Sequence, residues 1–171
     1  DDVETKEYEE MVYRKTGLLF GLSLAGGALI ADASENVQTN LIEYAKKTGL
    51  AFQLSDDILN LTADQEVYGK EIGGDIKEGK RTLIAIHCLK NCDKTEKEKM
   101  LKVLKKGRED VDRKDVDFVM SLIKKYGSIK FAKDYLEKIV KESKKYLNGI
   151  DNSELKNFLE EFSDFLIKRK Y

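Results

Sequence analysis

At 171 residues, 41% of them hydrophobic and 37% charged, the chain is long enough for one compact domain with a core of its own. Lys+Arg 31 against Asp+Glu 32 leave a formal net charge of -1, so no bulk charge recruits nucleic acid or an anionic membrane, and any electrostatic function has to be local. Two cysteines, Cys88 and Cys92, are too few for a disulfide framework; at helical spacing they read as packing residues rather than a metal pair.

The opening DDVETKEYEE is acidic and lacks the layout of a signal peptide, which predicts a cytoplasmic protein. There is no proline, so helices can run long and must be punctuated by glycine and capping residues. From Tyr8 to about Ala31 apolar residues recur at three and four, predicting a first helix, with Gly26, Gly27 and Ala28 permitting close approach. Its run LLFGLSLAGGALIA, Leu18 to Ala31, falls short of the ~20 residues of a membrane span and reads as a core helix. A second helix is predicted from Glu35 to Thr62. The segment GKEIGGDIKEGK, Gly69 to Lys80, loses periodicity and reads as a loop. Helices follow at Thr82 to Asn91 and at Thr95 to Lys106, the latter opening on Thr95 and Glu98 at capping-box spacing. The last three are predicted at Asp115 to Tyr126, Ser128 to Leu147 and Ser153 to Lys168, with Gly107, Gly127 and Gly149 as stop signals. No strand alternation, repeat or linker competes with this pattern. The expectation is one all-α domain over residues 1–171.

The second helix carries FQLSDDILN, Phe52 to Asn60, which places adjacent aspartates among apolar neighbours. At about 100° per residue, Gln53, Asp56, Asp57 and Asn60 share an arc of roughly 100°, flanked by Leu54, Ile58 and Leu61. Two carboxylates that close repel unless something positive compensates; lysines would do so as a plain surface pair, and so would a hard divalent cation. Elsewhere Lys15-Thr16 precedes the apolar run, and Lys70, Asp75 and Lys80 surround paired glycines. Ammonium groups and glycine backbone suit a phosphate. Acid for metal and base for phosphate together suggest a magnesium-diphosphate site.

In these ordered pieces, Lys15-Thr16, FQLSDDILN and GKEIGGDIKEGKRT, the sequence resembles the all-trans polyprenyl diphosphate synthases, which include farnesyl and geranylgeranyl diphosphate synthases. The resemblance implies an isoprenoid-synthase-like helical bundle and Mg²⁺-dependent condensation of isopentenyl diphosphate with an allylic diphosphate. By resemblance Asp56 is the principal metal ligand, with Asp57 supporting and Asp75 holding metal-bound water. Lys15 and Lys70 contact the allylic diphosphate, and Lys80 lines its phosphate end. Thr16 and Gln53 direct oxygens at the developing allylic cation. The family's second aspartate-rich motif reads DDxxD where this chain has DDILN, so Asn60 replaces a carboxylate. The first such motif is absent, as are its flanking basic residues. The chain is therefore expected to be the C-terminal portion of a larger, homodimeric enzyme; the alternative is a non-catalytic regulatory subunit. A helical Mg-dependent nucleotide pyrophosphohydrolase would need more facing glutamates than the sequence pairs. No nucleophile set stands out: His87, embedded in LIAIHCL, reads as a packed helix residue. Phe20, Phe52, Tyr126, Phe131, Tyr135, Phe158, Phe162 and Phe165 read as helix-packing residues, with Phe52 alone beside the site.

Overall fold

Helices account for every regular element of the computed structural model, which describes residues 3–64, 69 and 71–169; among them there is no strand, as the all-α expectation requires. Lys70 and the Asp1-Asp2 pair lie outside the described residues. In chain order the elements are α1 (Thr5–Val12), a π-helical turn (Tyr13–Gly17), α2 (Leu18–Ile30), α3 (Glu35–Thr62) and α4 (Gly74–Lys77). Then come α5 (Leu83–Asn91), α6 (Lys94–Leu104), α7 (Arg113–Lys125), α8 (Ser128–Lys145) and α9 (Ser153–Lys168), with single 3₁₀ turns at Arg108–Asp110 and Tyr146–Gly149.

The helix starts are set by side chains that accept the first unpaired backbone N–H groups. Thr82 accepts from the Ala85 N–H at 3.3 Å. Asn152 accepts from Leu155 at 3.0 Å. At α7, Asp112 and Asp115 form a reciprocal capping box. The box expected of Thr95 and Glu98 does not form: Asp93 accepts from the Glu96 N–H at 2.9 Å and starts α6 at Lys94, because a carboxylate two residues earlier caps the helix first. The expected loop over Gly69 to Lys80 contains the short helix α4, and the expected first helix is interrupted at Tyr13–Gly17 by the π turn.

The backbone divides into two compact units, and α3 and α8 contribute to both. One consists of Glu9–Ser55 and Tyr135–Arg169. Its core gathers Ala28, Leu41, Tyr44, Leu147, Ile150 and Leu159, with Leu24, Val37 and Leu155 against them. The buried Tyr44 hydroxyl donates to the Leu159 carbonyl at 2.7 Å and lies 3.0 Å from Ser163 Oγ. Burial pushes that phenol up to about 12. The other unit comprises the described residues of Asp1–Tyr8 and Asp56–Asp134. There α7 packs on α4, α5 and α6; Val119, Leu122 and Ile123 of α7 are buried, as are Ile76, Ile84 and Met100 on those helices.

The core-helix expectation for Leu18 to Ala31 is corrected. Leu19 is 68% exposed, Leu22 71% and Ile30 90%, while Ala28 is buried. The run is apolar on all sides, so packing one face leaves the other apolar faces in the open. His87 and Cys88 sit as packing residues, while Cys92 is half-buried at the end of α5. His87 Nδ1 lies 3.0 Å from Ser128 Oγ and its ring stacks on Phe131 at 4.1 Å, with burial lowering its pKa. Cys88 is buried, and that burial drives its thiol up to about 12.

Candidate active site

Two groups of polar residues coincide with the positions singled out by sequence. In the first unit the π turn displaces Lys15 and Thr16 from the α-helical register of α1, a distortion that recurs at functional sites. The turn ends on Gly17, and α3 meets it through Gly49. A Cβ on Gly49 would lie 2.6 Å from Gly17 Cα and 3.1 Å from its nitrogen, so the two backbones touch with no side chain between them. One turn beyond Gly49 on α3 stands Gln53, and Thr16 Oγ1 donates to Gln53 Oε1 at 3.4 Å. Behind this pair Phe20 packs on Phe52 at 5.7 Å and on Phe162 at 6.0 Å. The Arg169 guanidinium lies over the Phe52 ring at 5.1 Å, in cation–π range. Lys15 is exposed.

In the second unit the last turns of α3 carry Asp56, Asp57 and Asn60, beside Asp75 in α4 and Lys80 just after it. Asp57 is buried, 4% exposed, and accepts a hydrogen bond from the Tyr8 hydroxyl at 2.7 Å. Tyr8 itself is 2% exposed. Burial pushes its phenol well above the ordinary tyrosine range; the charge of Asp57 and the hydrogen bond to it add to this, and so do Asp75 and Asp56.

Lys80 Nζ reaches Asp75 at 2.6 Å and Glu78 at 2.8 Å. Burial alone would pull the Lys80 ammonium down, but these hydrogen bonds outweigh it and hold the group above the lysine range, so it stays charged. Asp57, Asp75, Lys80 and Thr82 border a small recess floored by Leu61, Ile76, Leu104, Val119 and Ile123. The turn that delivers Lys80 passes through Gly79 at φ +63°. A Cβ there would meet the Leu104 carbonyl oxygen at 2.3 Å, so this turn needs glycine twice over.

Asn60 is buried, and its Oδ1 accepts the Asp75 backbone N–H at 3.0 Å. Sequence reasoning placed Asn60 on one arc with Gln53, Asp56 and Asp57, where the motif's last carboxylate would stand; the fold directs its oxygen into the backbone of α4. Tyr8 was missed altogether. Its only trace in the sequence is membership of an apolar stripe, and its partner lies 49 residues away.

Among the described residues no three His, Cys, Asp or Glu side chains stand together as a metal-holding group. Asp57 is engaged by Tyr8 and Asp75 by Lys80, which keeps the three carboxylates from converging on one point. The donor set still fits Mg²⁺. That ion characteristically takes one or two carboxylates and completes its shell with water and phosphate oxygens rather than with an all-protein cage.

The family model for polyprenyl synthetase matches residues 1–123. The chain belongs to the polyprenyl synthetase family. The short chain isoprenyl diphosphate synthase of Methanocaldococcus jannaschii is 39% identical over 166 residues, which are 97% of this chain and 49% of that protein. The geranylgeranyl pyrophosphate synthetase of Pyrococcus horikoshii superposes with a TM-score of 0.86 at 35% identity, covering 98% of this chain and 50% of its own. A polyprenyl synthase from Caulobacter crescentus, solved with calcium and isoprenyl diphosphate, gives a TM-score of 0.89 at 28% identity and covers 99% and 51%. This polyprenyl synthetase chain therefore spans about half the length of the relatives it matches. No helix among the described residues is long and apolar enough to cross a membrane.

Proposed function

We propose that the protein is a prenyltransferase that condenses isopentenyl diphosphate with an allylic diphosphate to give a longer all-trans polyprenyl diphosphate. The observation that carries the reading is that buried Asp57, held by Tyr8, and Asp75, paired with Lys80, border one recess at the end of the helix that carries Asp56, in a polyprenyl synthetase. Relatives named for isoprenyl and geranylgeranyl diphosphate synthesis support it, as does a structural neighbour holding a divalent cation and isoprenyl diphosphate.

In this reading the allylic C–O bond breaks and diphosphate leaves. The isopentenyl double bond attacks the allylic carbon, and a proton lost from the isopentenyl unit restores the alkene. Mg²⁺, held by Asp56 with Asp57 supporting and with Asp75 holding its bound water, would stabilise the negative charge that grows on the leaving diphosphate. Lys15, Lys70 and Lys80 bind phosphate oxygens as ammonium point charges. The Thr16 hydroxyl donates its proton to Gln53 and so keeps its lone pairs outward, where they stabilise positive charge on the allylic carbons. By resemblance to its family the full-length protein acts as a homodimer.

The test is turnover of the full-length protein with isopentenyl and allylic diphosphates. Product should form only with Mg²⁺, and Asp56→Ala should lower kcat by about 100-fold or more, the scale of removing one electrostatic stabiliser. Undiminished kcat in Asp56→Ala would remove the metal assignment. Absence of product with every allylic diphosphate tried would remove the prenyltransferase reading.

A further inference from the structure

Helix α4 begins on Gly73, a residue at φ +79° that has no side chain with which to cap the helix it starts. The first N–H groups of any helix lack intrahelical partners, and a buried one left unpaired is costly. Here the missing cap comes from another helix. Asn60, 8% exposed in the last turns of α3, accepts the Asp75 N–H on its Oδ1 at 3.0 Å, and its own carbonyl accepts the Gly73 N–H at 2.8 Å. The approach is close: a Cβ on Gly74 would lie 3.6 Å from Asn60 Nδ2, and one on Gly73 would lie 2.9 Å from Val116 Cγ1. The segment is therefore fastened on two sides, and Asp75 leaves it with its carboxylate on Lys80 Nζ at 2.6 Å, while the Lys80 N–H returns to the Asp75 carbonyl at 3.0 Å.

We propose that Asn60 is the positioning residue of Asp75: its carboxamide oxygen caps α4 and sets the Asp75 carboxylate, and it does not ligate metal. A carboxylate at this place could accept the same N–H, but it would add a fourth negative charge beside Asp56, Asp57 and Asp75. The amide supplies the acceptor without the charge. The role assigned to Asp75 rests on the metal-diphosphate reading; the capping of α4 does not.

The experiment uses ¹⁵N-labelled full-length protein and three variants: Asn60→Asp, which keeps an acceptor, and Asn60→Leu and Asn60→Ala, which remove it. The first readout is exchange of the Asp75 amide proton without metal. It should stay within threefold of wild type in Asn60→Asp and speed up about tenfold or more in whichever of the Leu and Ala variants folds. The second is Mn²⁺ binding in the presence of inorganic pyrophosphate, followed by calorimetry. Kd should weaken about tenfold in whichever of the Leu and Ala variants folds, while Asn60→Asp, whose added charge attracts the cation, should bind at least as tightly as wild type.

Unchanged Asp75 exchange in the folded Leu or Ala variant overturns the proposal. So does a Kd within threefold of wild type in the folded Leu or Ala variant whose Asp75 exchange has sped up, which would show that the cap does not set the Asp75 carboxylate. If no form binds Mn²⁺ with pyrophosphate while the exchange pattern holds, the metal-diphosphate reading fails and the capping role stands.

Discussion

Around Gln53, candidate site residues are brought together by the lack of side chains. Gly49 and Gly17 let α3 and the π turn touch backbone to backbone, and Thr16 arrives beside Gln53 as a consequence, bonded at a long 3.4 Å. Around Asp57 the opposite holds. Tyr8 is joined to Asp57, and Asn60 and Lys80 to Asp75, by hydrogen bonds and an ion pair between 2.6 and 3.0 Å, while Gly79 turns the chain against the Leu104 carbonyl. The first arrangement is steric, indifferent to pH and intolerant of an added atom. The second is electrostatic in its polar side chains and sensitive to each proton and charge.

The harshest way to break this contrast is Gly49→Val. Its Cβ would collide with backbone that cannot rotate away, and overpacking of that kind costs about 3 kcal/mol or more. Urea denaturation should show that loss unchanged between pH 6 and 9. Tyr8→Phe probes the other end: it removes one donor to a buried carboxylate, a loss of about 2 kcal/mol in the same assay.

Tyr44 supplies a control in alkali. Unfolded, a tyrosine gives up its proton near 10.0; folded, Tyr44 holds its proton to about 12. The unfolded state is therefore favoured as pH rises. The contribution of Tyr44 is intact below pH 10, falls by about 1.4 kcal/mol at pH 11, and is lost as pH passes 12. In Tyr44→Phe that part of the alkaline limb should vanish from denaturation midpoints taken against pH. The smallest effect belongs to Thr16→Val: a 3.4 Å hydrogen bond held in place by packing should contribute under about 0.5 kcal/mol to stability, whatever the variant does to turnover.

The helices were legible wherever one local signal decided them. The range Glu35–Thr62 is the one read from periodicity, and Ser153–Lys168 is likewise observed as expected. Thr95 and Glu98 misled because two capping choices lay within three residues, and spacing alone does not say which donor Asp93 will satisfy. The π turn left no trace, since one extra residue in a turn alters periodicity less than ordinary scatter does. The exposed face of α2 was illegible for another reason: hydrophobicity says that a helix can be buried, not which surface covers it. At the site, the residue types that bear charge were readable from motif order. What they bond to was not, because Tyr8 meets Asp57 across 49 residues and Asn60 meets Asp75 across 15. Such pairings are made by tertiary structure, and a single chain read in order does not display them.

The contact between Gly17 and Gly49 also limits how this sequence can drift. In an ordinary core pair, a larger residue on one helix can be answered by a smaller one on its neighbour. Nothing is smaller than glycine, so neither position can compensate for growth at the other. A lineage that gains even a methyl group at Gly49 can recover only by moving a helix, and with it the seat of Thr16.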